Sequence, residues 1–407
     1  MEGAHTETAR PRVLYLATTF PRFSETFLQR EVQYLQEQSV NLDIRSLWGG
    51  DGQFDKEPVE TSSIQDLPQF LSKIPVWILR CPDAFREILG ILLQRRLPMV
   101  QNWLENFWGF AWALNHARAI QRNPPDLIHA TWGTMPAAAA LALNRLTGLP
   151  FSMEAHAYDV FKHGGDWLLE EKMQSAKFIR TSTRATRDHL LGKDVLPEKI
   201  HLVRRGIQLQ ATGHSAKLNK KPMRILSVGR LVEKKDFSFQ LAVFHALKER
   251  GFSFEAEIVG HGPLEEELHR ESNRRGLDHI LNFRGRLNYH NVEEAYHRAD
   301  LFLFTGQIAK NGDRDGFPNV VAEAMTLGVP VLTTPSTGVL EAIEHGSTGF
   351  VLDTKSPQAW ADTIQSLQHN RQIPEIQTNA RSWINENFDI QKNGQALFTL
   401  LMKHAKR

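Results

Sequence analysis

Two carboxylates, Asp315 and Glu323, flank a turn, Gly316-Phe317-Pro318, that leads into a helical pattern of Val320, Val321, Ala324 and Leu327. One acid stands at loop height and the other about a turn deeper, at ~1.5 Å rise per residue, so both can reach one ligand at different depths. Pro318 suits the first helical position, where its missing N–H would have no intrahelical partner. Gly316 lets the backbone approach a ligand closely. The N–H groups of Asn319, Val320 and Val321 then point out of a helix N-terminus, which attracts phosphate. The chemistry this suits is an anion cradle beside two acids that accept hydrogen bonds from sugar hydroxyls. Taken alone, acids at this spacing read as solvated side chains; the glycine, proline and helix around them give the pair its meaning.

A second charged set, Arg230 and Lys235, lies directly after the apolar run Met223–Val228. Arg holds phosphate oxygens in a fork and Lys acts as a point charge, although two cations in a loop are more often a solvated surface. Further candidates stand where apolar runs give way to turns. Ser24 and Glu25 open the first helix and read equally as acceptor ligands or plain caps. Gly260 makes a tight turn with His261, Gly262 and Pro263, and His156 ends the run Phe151–Ala155.

The elements that position these residues alternate along the chain. Arg12–Phe20, Asn41–Leu47, Asp126–Trp132, Phe151–Ala155, Lys177–Thr183 and Lys199–Arg204 read as strands separated by helices. The pattern restarts with Met223–Val228, Phe254–Val259, His279–Gly285, Ala299–Thr305 and Val329–Thr334, and a helix is expected between Gly338 and Gly349. Such alternation means parallel sheets with right-handed crossovers. The reading is α/β: two Rossmann-like doubly wound units, 1–207 and 222–381, joined by a polar, basic linker at 208–221, with a crevice at the carboxyl ends of their strands. The tail, 382–407, reads as one long helix. Near 50–123 lies a helical insert, Pro82–Arg96 and Trp103–Ile120, crowded with Trp77, Trp103, Phe107, Trp108, Phe110 and Trp112 beside Arg80, Arg86, Arg95 and Arg96. It reads either as a membrane-facing or acceptor-covering surface or as core helices packed on the sheet.

The 407 residues carry 48 basic and 46 acidic side chains, a net charge of +2, which argues against a dedicated nucleic-acid binder. Cys81 is the single cysteine, so no intrachain disulfide or cysteine zinc cage forms, and a reducing cytoplasm is the simpler home. No secretory signal opens the chain, and no run approaches the ~18 apolar residues of a spanning helix. Asp313 and Asp315 form a D-R-D, read as accidental, and no metal is expected.

The stretch from Asn311 to Asp353 resembles the signature of the family-4 retaining glycosyltransferases nearly residue for residue, with Asp315 where that family usually has Glu. The segment Val228–Lys235 resembles the same family's phosphate-binding loop, except that Asp236 replaces a glycine. The opening around Phe20–Val32 is similar to exopolysaccharide and colanic-acid-type members. The resemblance implies the GT-B fold, with an acceptor-binding first domain, a donor-binding second domain and a tail that crosses back to the first. It assigns the nucleotide ribose to Glu323, the donor sugar to Asp315, the sugar and phosphate to the Phe317–Val321 backbone, and the base to Gly260, Arg286 and Leu287. It also implies that Arg230 and Lys235 stabilise the departing phosphate, and that His156 faces the transferred sugar, with its aspartate displaced to Asp159. The implied activity is retaining, metal-independent transfer from a nucleotide-diphosphate sugar, needing no cofactor, to a sugar, glycan or glycolipid acceptor. The expected location is the cytoplasm, with the protein either soluble or peripheral to the inner face of the plasma membrane. The competing readings are a nucleotide-sugar epimerase or hydrolase, and a non-catalytic nucleotide-sugar-binding protein.

Overall fold

Short runs of Val, Ile, Leu and Phe are stable as strands only where both faces of the sheet are covered, and this chain supplies a helix after nearly every run. The computed structural model describes residues 11–22, 25–94, 99–207, 218–336 and 338–405. The chain forms two compact units, Met1–Gly206 with Ile390–Arg407, and Ile207–Asp389.

The strands of the first unit are β1 (Arg12–Ala17), β2 (Asn41–Ser46), a hairpin of β3 (Gln53–Phe54) and β4 (Glu57–Pro58), β5 (Glu60–Thr61), β6 (Leu127–Ala130), β7 (Phe151–Glu154), β8 (Ile179–Thr181) and β9 (Ile200–Leu202). Seven of them make one parallel sheet in the order β5-β2-β1-β6-β7-β8-β9. The order reverses between β1 and β6, where Val13 lies opposite Leu127 and Leu16 opposite Ala130. Ligands of open α/β sheets bind beyond the carboxyl ends of the strands at such a reversal. Helices Val100–Arg122 and Met135–Thr147 cover one face, and Thr26–Glu37 with Ile390–His404 the other. Tyr34 of the helix Thr26–Glu37 bonds Gln395 at 3.2 Å.

The second unit repeats the plan with β10 (Met223–Val228), β11 (Phe254–Val259), β12 (Leu281–Gly285), β13 (Leu301–Phe304), β14 (Val331–Thr333) and β15 (Phe350–Val351). Their order is β12-β11-β10-β13-β14-β15, all parallel, and the reversal falls between β10 and β13. Helices Phe237–Glu249 and Pro357–Leu367 pack on one face, Asn319–Thr326 and Ile373–Asn387 on the other.

Three readings of the sequence change. No α-helix lies between Gly338 and Gly349; Val339–Glu341 makes a single 3₁₀ turn. The tail is not one helix, because Ile373–Asn387 and Ile390–His404 are separate. The break follows from Phe388, whose ring packs on Phe317 and Trp383 and whose carbonyl accepts the Ile207 amide at 2.8 Å. Finally, the insert's aromatic rings do not form an outward surface as a set. Trp77, Trp108, Phe110 and Trp112 are buried. Three of these indoles are fixed by hydrogen bonds: Trp77 donates to the Leu114 carbonyl at 2.6 Å, Trp108 to the Leu47 carbonyl at 2.7 Å, and Trp112 to Ser62 at 3.1 Å. Most of the expected linker falls outside the described residues.

Candidate functional site

In the second unit the loops after β10 and β13 are laced together. The Gln307 amide donates to the Lys234 carbonyl at 2.9 Å, the Lys310 amide to the Glu233 carboxylate at 3.0 Å, and the Thr305 hydroxyl to the Lys235 carbonyl at 3.0 Å. This lacing brings Lys235 Nζ to 2.7 Å from Asp315 Oδ2. Lys234, which the sequence reading passed over, lies 3.4 Å from Asp315 Oδ1 and 3.0 Å from Asp313 Oδ1. Burial by itself would push the Asp315 carboxyl up, but Lys235 and then Lys234 outweigh it and hold the group below the ordinary carboxylate range. Two lysines and two aspartates thus converge at the β10/β13 reversal. Arg230 stands exposed at the head of the same loop, and among the described residues no ion pair joins it to Asp315.

The helix Asn319–Thr326 begins one residue later than expected: Pro318 is its N-cap, with extended backbone. The Val321 amide donates to the Pro318 carbonyl at 3.0 Å, so it does not belong to the anion cradle. Among the described residues, Asn319 and Val320 keep amides without a protein partner. Gly316 abuts Gly338, where any Cβ would overlap the Gly316 carbonyl, so the turn is pressed against the next loop. Phe317 anchors it, with its ring 4.7 Å from that of Phe388. Glu323 is oriented by a residue no motif pointed to. The buried Tyr296 hydroxyl lies 3.3 Å from Glu323 Oε2 and donates to the Val320 carbonyl at 3.0 Å. Burial and then the Glu323 charge raise the Tyr296 pKa well above the usual phenol value, so the hydroxyl stays a donor.

Gly260 sits at the end of β11 with φ +147°, and a Cβ there would overlap the Gly229 carbonyl. Gly229 donates to Val259 at 2.9 Å and Gly260 to Gly285 at 2.9 Å. The loops carrying Arg230, Gly260, and Arg286 with Leu287 therefore form one rim. Arg286 is exposed and Leu287 half-buried.

The first unit gathers its own set at the carboxyl ends of β6, β7, β8 and β9. Trp132, after β6, meets Phe27 edge-on at 6.5 Å and His156 edge-on at 5.3 Å, and the Arg205 guanidinium lies 4.7 Å from the Phe27 ring. His156 is buried at the end of β7. Its Nε2 lies 2.7 Å from Arg205 Nη2 and 2.9 Å from Glu154 Oε2, and its Nδ1 is 3.2 Å from Ser182 Oγ. Behind it, Arg180 bonds Glu154 at 2.6 Å and also pairs with Glu31, while Arg205 reaches Glu154 at 2.5 Å. Tyr15 donates to Glu31 at 2.9 Å. Two buried arginines and two buried glutamates balance, and each carboxylate is held from several sides. Burial, with Arg205 next, lowers the His156 pKa to about 4, so the ring is neutral at physiological pH. Its displaced partner Asp159 accepts the His156 amide at 2.9 Å rather than touching the ring; burial raises this acid to about 7. Glu25 is the N-cap of Thr26–Glu37 without a side-chain cap bond, and its carboxylate pairs with Arg22 at 3.1 Å. Ser24 lies outside the described residues.

Two all-parallel sheets, each covered by helices on both faces, make the GT-B class of fold. The same fold appears in the crystal structure of Anabaena Alr3699/HepE in complex with UDP-glucose. The TM-score is 0.71 at 18% identity, over 97% of this chain and 100% of that one. Glycosyl transferases group 1 match residues 212–384, and a glycosyl transferase 4-like domain matches 76–206. The chain thus carries a glycosyl transferases group 1 domain and a glycosyl transferase 4-like domain, and it is similar to exopolysaccharide glycosyltransferases. It is 30% identical over 209 residues to a putative colanic acid biosynthesis glycosyltransferase, WcaL of Salmonella typhimurium, covering 50% of this chain and 51% of that one. It is 33% identical over 173 residues to the amylovoran biosynthesis glycosyltransferase AmsK of Erwinia amylovora, covering 42% of each. The match spans about half the length of these curated relatives.

Proposed function

We propose that the protein is a retaining, metal-independent hexosyltransferase that moves a sugar from a nucleotide-diphosphate donor to a glycan, glycolipid or small hydroxyl acceptor in polysaccharide or glycoconjugate synthesis. The observation that carries this is the convergence of Lys234, Lys235 and Asp315 at the β10/β13 reversal. Fixed cations there suit a diphosphate that gains charge as it leaves. The Asn319 and Val320 amides supply further donors, Glu323 takes the ribose, Asp315 the sugar hydroxyls, and the Gly260 and Arg286-Leu287 rim the base. HepE, which shares the fold, has been seen with UDP-glucose.

In this reading the bond from the sugar's anomeric carbon to the phosphate oxygen breaks, and the acceptor oxygen bonds that carbon on the same face. The acceptor proton passes to the departing phosphate. His156, neutral and held by Arg205, Glu154 and Ser182, bonds the sugar or acceptor by exchanging one of these partners for it. Asp313 and Asp315 are each committed to lysine, which supports reading the pair as structural rather than metal-binding. No cofactor takes part. The enzyme works in the cytoplasm, in peripheral contact with the membrane.

The test is incubation with a panel of nucleotide sugars and hydroxyl acceptors, with product configuration read by NMR. Transfer with retention that persists in EDTA, and that falls about a hundredfold or more in His156→Ala, is the expected result. Consumption of donor without acceptor would favour an epimerase or hydrolase. Donor binding without turnover would favour a non-catalytic protein.

A further inference from the structure

The buried cluster around His156 decides where the ring's one proton sits. Arg205 Nη2 lies 2.7 Å from His156 Nε2 and 2.5 Å from Glu154 Oε2. A guanidinium stays protonated and only donates, so one N–H of Nη2 goes to the carboxylate and the other to the ring. At 2.7 Å a second hydrogen on Nε2 would set two N–H groups head to head, so Nε2 must accept. Glu154 Oε2, 2.9 Å from the same nitrogen, therefore shares the Arg205 donor with it rather than accepting from it. A neutral ring then carries its proton on Nδ1, 3.2 Å from Ser182 Oγ. Burial and then Arg205 lower the ring's pKa to about 4, in keeping with that neutrality. The guanidinium has little room to turn away. Its Nη1 lies 3.3 and 3.4 Å from the two Glu31 oxygens, and its carbon stands 4.7 Å from the Phe27 ring centre. Arg180 pairs with both Glu31 and Glu154, so each glutamate is held between two cations.

We infer that Arg205 is a positioning residue for His156: by donating to Nε2 it holds the ring's proton on Nδ1, so that the ring meets a sugar as a hydrogen-bond donor, with the Ser182 hydroxyl keeping the place of a sugar hydroxyl. Ser182 is the partner a ligand displaces. Its contact is the longest of the three the ring makes, and it is half-buried where Arg205 and Glu154 are buried. The consequence is chemical. Arg205 closes Nε2 and Nδ1 already holds a proton, so neither nitrogen serves as the base for the attacking hydroxyl. The ring orients and polarises an oxygen, and the acceptor proton is left to the departing phosphate. A lysine at this place would supply the charge without the fixed fork that serves carboxylate and ring together. That a sugar takes the Nδ1 edge rests on the reading of His156 proposed above; where the proton sits does not.

The experiment is nitrogen NMR of the full chain, isotopically labelled at its histidine rings, near neutral pH and without sugar. His156→Asn identifies the two ring signals by their loss. In the wild type Nδ1 should read as protonated and Nε2 as bare. The paired variant Glu31→Gln, Arg205→Met removes one anion and one cation and leaves Arg180 with Glu154. There the proton should move to Nε2 and donate to Glu154, and turnover should fall about three- to tenfold, the worth of one hydrogen bond. The same pair made in His156→Ala should cost no further turnover, whereas a merely structural role for Arg205 would cost as much in both backgrounds. Ser182→Ala should leave the proton on Nδ1. A wild-type ring with its proton on Nε2 overturns the inference, and this spectrum decides alone if the paired variant does not fold. A proton that stays on Nδ1 in the paired variant, or that moves in Ser182→Ala, overturns it as well. Full turnover in His156→Ala would instead remove His156 from the reaction, and the sugar-free spectra would still report what Arg205 does to the ring.

Discussion

Lys235 Nζ lies 2.7 Å from Asp315 Oδ2, so the cation assigned to the leaving phosphate is paired with the acid assigned to the donor sugar. A nucleoside diphosphate entering this loop competes with Asp315 for the lysine. Lys235→Met is expected to lower turnover by roughly 10²–10³, the usual effect of removing one fixed donor from a developing charge. Asp315→Asn removes the competing carboxylate as well as the sugar contact. Its nucleoside diphosphate should bind several-fold more tightly by calorimetry, while turnover falls. Weaker diphosphate binding in Asp315→Asn would mean that the carboxylate does not restrain the lysine.

The Asp236 departure from the family pattern has a local explanation. Asp236 has φ 49° and ψ 49°, the left-handed region that favours glycine. Asp is among the few other residues that enter it readily. It compensates by capping the helix Phe237–Glu249, accepting from the Phe239 amide at 3.4 Å, and by pairing with Lys355. Asp236→Gly relieves the backbone and gives up the cap, so stability should change by no more than about 1 kcal/mol. Asp236→Leu adds the strain of a side chain that does not enter this region readily and loses the cap, and should cost roughly 2–3 kcal/mol. Denaturant melts of the two variants decide this, and equal losses would show that the left-handed backbone is not what selects the residue.

How far the sequence revealed the molecule depended on whether the signal was local. β10 and β11 follow their apolar runs to the residue, because each run ends where a glycine turn begins. Lys235 and Asp315 were legible because each sits in a contiguous motif beside a strand end. The cluster behind His156 was not. Glu31, Glu154, Arg180 and Arg205 come from a helix, two strands and the segment after β9, and Glu31 and Arg205 are 174 positions apart. A lone charge in each segment reads as solvated until the fold buries it. The Val321 amide was misjudged for a different reason: a shift of one residue in the helix start decides which amides stay unbonded, and caps are set by backbone angles that composition constrains weakly.

The acid response of the first unit should be hidden in the wild type and visible in two variants. Burial and Arg205 lower His156 from 6.5 to about 4, so between these values the unfolded chain binds the proton that the folded one refuses. Stability from His156 is therefore full above 6.5 and lost as pH falls toward 4. Asp159 acts in the opposite sense. Burial raises it from 3.8 to about 7, so the folded chain holds a proton the unfolded one releases, and stability is lost as pH rises through 7. Each effect is on the order of 3–4 kcal/mol at about 1.36 kcal/mol per unit, and over pH 4–6.5 they cancel. His156→Asn should leave the Asp159 slope alone and grow more stable as pH falls from 7 to 4. Asp159→Asn should do the reverse and lose stability over the same range. Denaturant midpoints measured across that range check the signs, and parallel profiles for the two variants would show that the two groups do not titrate as their burial requires.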